Sequence, residues 1–210
     1  MLPGRTFIAR HGETVFNKAQ RMQGDALDSP LTRTGFVQAD AMGAALAKWL
    51  GTAQALRLHV SPSGRALQTL AVVCHHIGHD WFEAERDDRL KEIDVGAWAG
   101  RTYAEIIAEQ GEIVDRENRL FSVRPPGGEY YPEIAERLSA WIAGLAQQRG
   151  DRLVIMHGMS SRVLRGLLLG LAPDPAYGAP IAPSLTQGTL VMIGNGEEKV
   201  ICDGAGTHLA

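Results

Sequence analysis

The sequence predicts an α/β fold, with strands and helices alternating along the chain. Three observations predict it. Apolar runs of strand length at residues 6–10, 56–60 and 152–156 each stop abruptly, at Arg10-His11-Gly12, Ser61-Pro62-Ser63-Gly64 and His157-Gly158. Between them, apolar residues recur at helical spacing, as at Ala39, Met42, Gly43 and Leu46. The run Arg152-Leu153-Val154-Ile155-Met156 is nearly continuous, as expected of a central strand covered on both faces. With 210 residues and 45% hydrophobic content, the chain can bury a substantial core as one domain spanning residues 1–210.

The first run, Thr6-Phe7-Ile8-Ala9-Arg10, ends in a cation, an imidazole and a glycine. Open α/β sheets carry their chemistry at the carboxyl ends of strands, so His11 is delivered to a reactive edge. An unprotonated imidazole can attack an electrophile, and the planar fork of Arg10 fits a phosphate or a carboxylate. Together they point to phosphoryl transfer through a phosphohistidine. Residues 17–31 follow as a polar, turn-rich loop, and loops of this length in compact domains are usually functional. Thr32 caps a helix whose apolar face takes in Phe36, Ala39, Met42, Gly43, Leu46 and Leu50 and which ends at Gly51.

Leu56-Arg57-Leu58-His59-Val60 alternates as a strand does, and Ser61-Pro62-Ser63-Gly64 opens the next helix. Arg65 lies in that helix's first turn, where side-chain charge and backbone amides can meet one anion. Residues 81–90 read as a short strand and a loop leading to Glu92. Thr102 with Glu105 forms a capping box for a following helix. Residues 111–133 are charged, then rich in Pro and Gly, and are expected to cover the site as a lid carrying Arg116, Arg119, Arg124, Tyr130 and Tyr131. An amphipathic helix over 132–148 returns the chain to the core. After His157, Ser160 is placed as the cap of a helix over 161–170, and residues 189–203 read as a hairpin turning at Asn195-Gly196.

A net charge of −3 gives no basic footprint for nucleic acid, and no apolar segment has membrane-spanning length. The start lacks an apolar signal-peptide core, so a cytoplasmic protein without nucleic-acid or membrane partners is expected, with homodimerisation left open. Cys74 and Cys202 are too few for a disulfide framework and are read as reduced. The cluster Cys74-His75-His76-x-x-His79-Asp80 could suggest metal, but a helix end with favourable imidazoles is the commoner explanation.

Arg10-His11-Gly12-Glu13-Thr14-x-x-Asn17, Arg21-x-Gln23-Gly24, Pro30-Leu31-Thr32-x-x-Gly35, Ser61-Pro62-x-x-Arg65, Leu90-x-Glu92-x-x-x-Gly96 and His157-Gly158 occur in the order of the histidine phosphatase superfamily. The chain resembles its phosphoglycerate mutase-like branch. The resemblance implies a three-layer α/β/α sandwich with a mostly parallel central sheet, and no metal or other cofactor. It also implies that His11 is the nucleophile, that Arg10, Arg65 and His157 neutralise the phosphoryl oxygens, and that Glu92 is the acid/base. Asn17, Gln23, the backbone at Gly24 and Gly158 match positions that line the phosphate pocket in relatives. Mutases of this family follow the glutamate with Arg-His-Tyr-Gly, whereas Glu92 is followed by Ile93-Asp94-Val95-Gly96, as in phosphatase members. Arg162 can stabilise the helix after His157 or hold a substrate group, and the structural role is the favoured reading. The expected function is therefore hydrolysis of a small phosphorylated metabolite. A phosphoglycerate mutase is the first alternative and a catalytically weak regulatory or binding member the second.

Overall fold

The computed structural model describes residues 2–26, 28–51 and 55–204, so Leu27 of the polar loop and the two ends of the 1–210 span lie outside the described residues. Strand β1 (Thr6–Arg10) is followed by a four-residue helix α1 (Val15–Lys18), helix α2 (Arg33–Leu50), β2 (Leu56–Val60) and α3 (Gly64–Ile77). Next come β3 (Glu85–Arg86), α4 (Tyr103–Gln110) and the short strands β4 (Val114–Asp115) and β5 (Leu120–Phe121). The chain closes with α5 (Tyr131–Gly144), β6 (Asp151–Met156), α6 (Gly158–Leu169), β7 (Leu190–Gly194) and β8 (Glu197–Cys202).

The main sheet has the order β3-β2-β6-β1-β7-β8. β3, β2, β6 and β1 run parallel, β7 runs antiparallel to β1, and β8 antiparallel to β7. Because side chains alternate across a strand, each central strand feeds both faces. Phe7, Ala9, Leu153 and Ile155 pack with Met42, Leu46, Leu70 and Val73 of α2 and α3. Ile8, Val154 and Met156 pack on the opposite side with Ile134, Leu138 and Trp141 of α5 and with Val163 and Leu164 of α6. This is the expected three-layer arrangement, and it explains why residues 152–156 show no polar alternation. Burying each Val, Leu, Ile, Met or Phe side chain of these two sets contributes about 1.5–3 kcal/mol.

Parallel pairing puts three strand ends at one edge. Arg10 is level with Met156 and Val60 with Ile155, and the ladder continues past the strands through His11 N–H to the Met156 carbonyl (3.0 Å) and Ser61 N–H to the Ile155 carbonyl (3.1 Å). His11, Ser61 and His157 therefore leave the sheet side by side.

The structure departs from the sequence reading at several places. Phe36 is 43% exposed, because the buried stripe of α2 runs through Gly35, Gln38, Ala39, Met42, Gly43 and Leu46, one position round. The polar loop begins with α1, whose capping box joins Thr14 and Asn17. The helix expected over 132–148 stops at Gly144, where Leu145 turns the chain. Ser160 is not a cap: α6 already starts at Gly158 with His157 in the cap position.

Candidate active site

At the end of β1 the chain passes under the first turn of α2. A side chain on Gly12 would place its Cβ 2.3 Å from the Gly35 carbonyl oxygen, so both glycines are needed for this backbone approach. The turn fixes His11. Its Nδ1 lies 2.7 Å from the Gly12 carbonyl oxygen, which can only accept, so Nδ1 carries the proton and Nε2 keeps its lone pair. His11 is 2% exposed. Burial first, then the charges of Arg65 and Arg10, hold its pKa well below that of an ordinary histidine, so the ring is neutral. Beside it Arg10 donates to the Leu185 carbonyl, and its guanidinium occupies the space over Gly158, where a Cβ would lie 3.1 Å from Cζ. The room that Gly158 leaves is thus taken by Arg10.

Arg65 and His157 lie behind the cavity wall that Arg10, His11, Asn17, Gln23, Gly24 and Glu92 help to form. Arg65 uses all three guanidinium nitrogens: Nε donates to His157 Nδ1 (3.2 Å), Nη1 to the Ala26 carbonyl (2.5 Å) and Ser29 Oγ (2.9 Å), and Nη2 to the Gly24 carbonyl (2.6 Å). Burial lowers its pKa to about 10, which leaves it charged at neutral pH. Since His157 Nδ1 accepts, Nε2 must carry the proton, and it meets Ser61 Oγ at 2.7 Å. Burial and the charge of Arg65 push His157 well below the usual histidine range. In this arrangement His157 is a neutral, clamped imidazole and not the cation expected of it. The two histidines thus hold complementary tautomers, with ring centres 5.2 Å apart.

Glu92 meets the start of α6. Its Oε2 accepts from Met159 N–H (3.0 Å), and its Oε1 from Ser160 N–H (2.9 Å) and its own neighbour Ile93 N–H (3.0 Å). Because α6 begins at Gly158, its first amides and the favourable end of its dipole hold the carboxyl group on the cavity. On the opposite wall, Thr14 organises the amides. Asn17 Oδ1 accepts from Thr14 N–H (3.0 Å), and the Thr14 hydroxyl lies 2.9 Å from Gln23 Oε1. With their oxygens engaged, what Asn17 and Gln23 can offer a ligand is N–H donors.

The lid is a small hairpin, β4 against β5, followed by a turn at 125–128 docked on the segment after Glu92 through Ala97 N–H to the Pro126 carbonyl (3.0 Å). Of the lid residues singled out, Arg119 lines the cavity. Arg116 pairs with Glu112 (2.6 Å), and Arg124 with Glu133 (2.7 Å). Tyr130 donates its hydroxyl proton to the Phe121 carbonyl (3.0 Å), while the Tyr131 hydroxyl accepts from Phe121 N–H (2.6 Å). Both tyrosines therefore hold the hairpin, and neither is among the residues that line the cavity. Tyr103, in the first turn of α4, also lines the cavity and carried no sequence signal of its own, and Arg162, read from the sequence chiefly as a structural residue, lines the site's far side. Burial pushes the Tyr103 hydroxyl up to about 12.

Two of the three histidines of the 74–80 cluster go to separate partners, His76 to Asp40 (2.8 Å) and His79 to the Ile77 carbonyl (3.0 Å), while Asp80 caps the next turn through Phe82 N–H (2.9 Å). The described residues contain no group of His, Cys, Asp and Glu arranged to hold a metal ion. Cys74 and Cys202 are free thiols. No helix among the described residues is long and apolar enough to cross a membrane.

Comparison with known proteins agrees with this geometry. Proteins named probable phosphoglycerate mutase GpmB are similar over much of the chain. The one from Salmonella paratyphi C is 33% identical over 170 residues, 80% of this chain and 75% of that protein. The one from Cronobacter sakazakii is 35% identical over 177 residues, 82% and 77% of the two chains. Among solved structures, mycobacterial glucosyl-3-phosphoglycerate phosphatase in complex with VO3 superimposes with a TM-score of 0.77 at 27% identity, covering 96% of this chain and 99% of that one. The α-ribazole phosphatase from Shigella flexneri shares the fold, with a TM-score of 0.73 at 21% identity and 96% of each chain covered. The model of the histidine phosphatase superfamily (branch 1) matches residues 6–201. With His11, His157, Arg10, Arg65 and Glu92 gathered at one sheet edge, the chain belongs to the histidine phosphatase superfamily, in its phosphoglycerate mutase-like branch.

Proposed function

We propose that the chain is a metal-independent phosphomonoesterase acting on a small phosphorylated metabolite. The observation that carries this is the His11 tautomer, with Nδ1–H tied to the Gly12 carbonyl and a neutral ring beside Arg10. In this reading Nε2 attacks phosphorus, the bond to the ester oxygen breaks, and Glu92 gives that oxygen a proton, so an alcohol leaves and phosphohistidine remains. Water then attacks phosphorus, Glu92 takes back a proton, and inorganic phosphate leaves with His11 restored. Arg10 and the amides of Asn17 and Gln23 stabilise the phosphoryl oxygens directly. Arg65 adds its charge from behind the wall and holds His157 and the loop at Gly24 in place.

The names of the solved relatives support hydrolysis, as does the segment Ile93-Asp94-Val95, which stands where the mutases place Arg-His-Tyr. The second reading, a phosphoglycerate mutase, is favoured by the names of the relatives at 33% and 35% identity. Two free thiols support a cytoplasmic location.

Brief incubation with a radiolabelled phosphate ester should leave acid-sensitive label on wild-type protein and none on His11→Ala, with or without EDTA. Label on another residue, or label lost to EDTA and restored by zinc or manganese, would sink the proposal. Run on 3-phosphoglycerate, the same reaction should release inorganic phosphate. Efficient conversion to 2-phosphoglycerate, stimulated by 2,3-bisphosphoglycerate, would promote the mutase reading.

A further inference from the structure

The cavity shares lining residues with two unlike clefts. On the far side of Glu92 a cleft is lined by Asp25, Asp88, Asp94 and Glu129 with Lys91 and Arg137. Its cations are spoken for: Lys91 pairs with Asp88 (3.0 Å) and Arg137 with Glu129 (2.9 Å), which leaves Asp25 and Asp94 in excess. On the other side Arg119, Arg162 and Ser184 are shared with a second cleft, whose lining Glu117, Asn118, Ile181, Ala182 and Pro183 complete.

Arg162 is 6% exposed and lacks a carboxylate partner among the described residues. Nε donates to the Ala182 carbonyl (2.8 Å), and Nη1 to those of Asn118 (2.8 Å) and Arg119 (3.0 Å). Nη2 has no partner among the described residues, yet it is not one of the sealed, unsatisfied side-chain atoms and so remains open to a ligand. The neighbouring Arg119 is likewise in no ion pair among the described residues, and its backbone is left-handed, with φ at 53°. Residues other than glycine rarely adopt that conformation, and it recurs at ligand clamps. Of the other two such residues described, Gln20 (φ 52°) also lines the cavity, and Asn195 (φ 54°) forms the hairpin turn. Two arginines that line the same cleft, neither in an ion pair among the described residues, stand across the cavity from an acidic cleft and together form an anion site, since the guanidinium fork matches the oxygens of a carboxylate or a phosphate.

We propose that the leaving group of the substrate carries a second oxyanion, a carboxylate or a phosphate, which docks on Arg162 and Arg119, while the acidic cleft beyond Glu92 repels it. This rests on the phosphomonoesterase reading of the same cavity. The test compares kcat/KM for phosphate release in two matched pairs: 3-phosphoglycerate against glycerol 1-phosphate for a carboxylate, and fructose 1,6-bisphosphate against fructose 6-phosphate for a second phosphate. At least one charged member should exceed its neutral counterpart roughly tenfold or more, the factor one charge-assisted hydrogen bond supplies. Arg119→Ala should collapse that ratio, and Arg162→Lys should lower it while thermal unfolding confirms a folded protein. The pair with the larger ratio names the anion. Equal rates within both pairs, or an Arg119→Ala variant that slows charged and neutral esters alike, would overturn the inference and leave the phosphatase reading standing. Failure to release phosphate from any of the four esters would overturn both.

Discussion

Two buried arginines, Arg65 and Arg162, each hold a loop over the same cavity, and they differ in what they leave unspent. Arg65 holds the loop of residues 24–29 through two carbonyls and a serine and ties the remaining nitrogen to His157. Arg162 holds the hairpin tip through the carbonyls of Asn118 and Arg119 and the 182 loop through Ala182, with Nη2 left over. Burial lowers both to about 10, so both remain cations. Similar chemistry thus serves two purposes: one arginine is fully built into the phosphoryl-transfer side, the other has a donor to give to whatever the phosphate is attached to.

Replacing the two arginines is the sharpest test of that contrast. Arg65→Ala should cost about 10²–10³ in kcat/KM, the range for losing a preorganised charge stabiliser, and should do so equally for every ester. Arg162→Ala should cost roughly tenfold and only for esters with a second anion, with faster amide exchange at Val114, Asp115, Leu120 and Phe121. Equal, substrate-independent losses at both positions would erase the distinction. Next in size is Glu92→Gln, which belongs to the Arg65 side through the α6 amides. It should lose roughly two or more orders of magnitude on alkyl phosphates, and less on p-nitrophenyl phosphate, whose leaving group needs little protonation. Equal losses on both esters would remove Glu92 from the proton path.

The smallest effect is in stability against pH. His11, His157 and His59 are buried with pKa values below the ordinary 6.5, burial being the first cause in each. The unfolded chain therefore takes up protons near pH 6.5 that the folded chain accepts only at lower pH. Their contribution is complete above about pH 6.5 and is lost as pH falls through the folded values. All three lie at or beside the strand ends, and residues 111–133 contain no histidine. The thermal midpoint should fall between pH 7 and 5, with amide protection lost first at His11 and Ser61 and last at the hairpin. A midpoint that stays flat over that interval would show that these histidines are not held neutral.

The Arg65 side was legible in the sequence because its parts announce themselves locally. Apolar runs that end at His11, Ser61 and His157 are strand ends, and parallel pairing brings three such ends together wherever the helices between them allow. Capping residues Thr32 and Thr102 marked helix starts for the same reason: a cap is a hydrogen bond across three residues. On the Arg162 side the sequence singled out the arginine but not its partners. That arginine meets carbonyls 43 and 44 residues earlier in the chain, and carbonyls carry no side-chain signature. The lid tyrosines turned inward for a like reason, since only the docked hairpin offered them the Phe121 backbone.

By itself, then, the sequence determined the alternation of strands and helices, the family, and the identity of the residues at the strand ends, all of which follow from short-range periodicity and motif order. Tertiary structure alone decided that α6 starts at Gly158 and so aims its amides at Glu92, that His157 is a neutral ring clamped between Arg65 and Ser61, and that Arg162 keeps one donor open. The physical reason is that protonation and unspent hydrogen-bonding capacity depend on burial and on distant neighbours, which only the closed fold supplies.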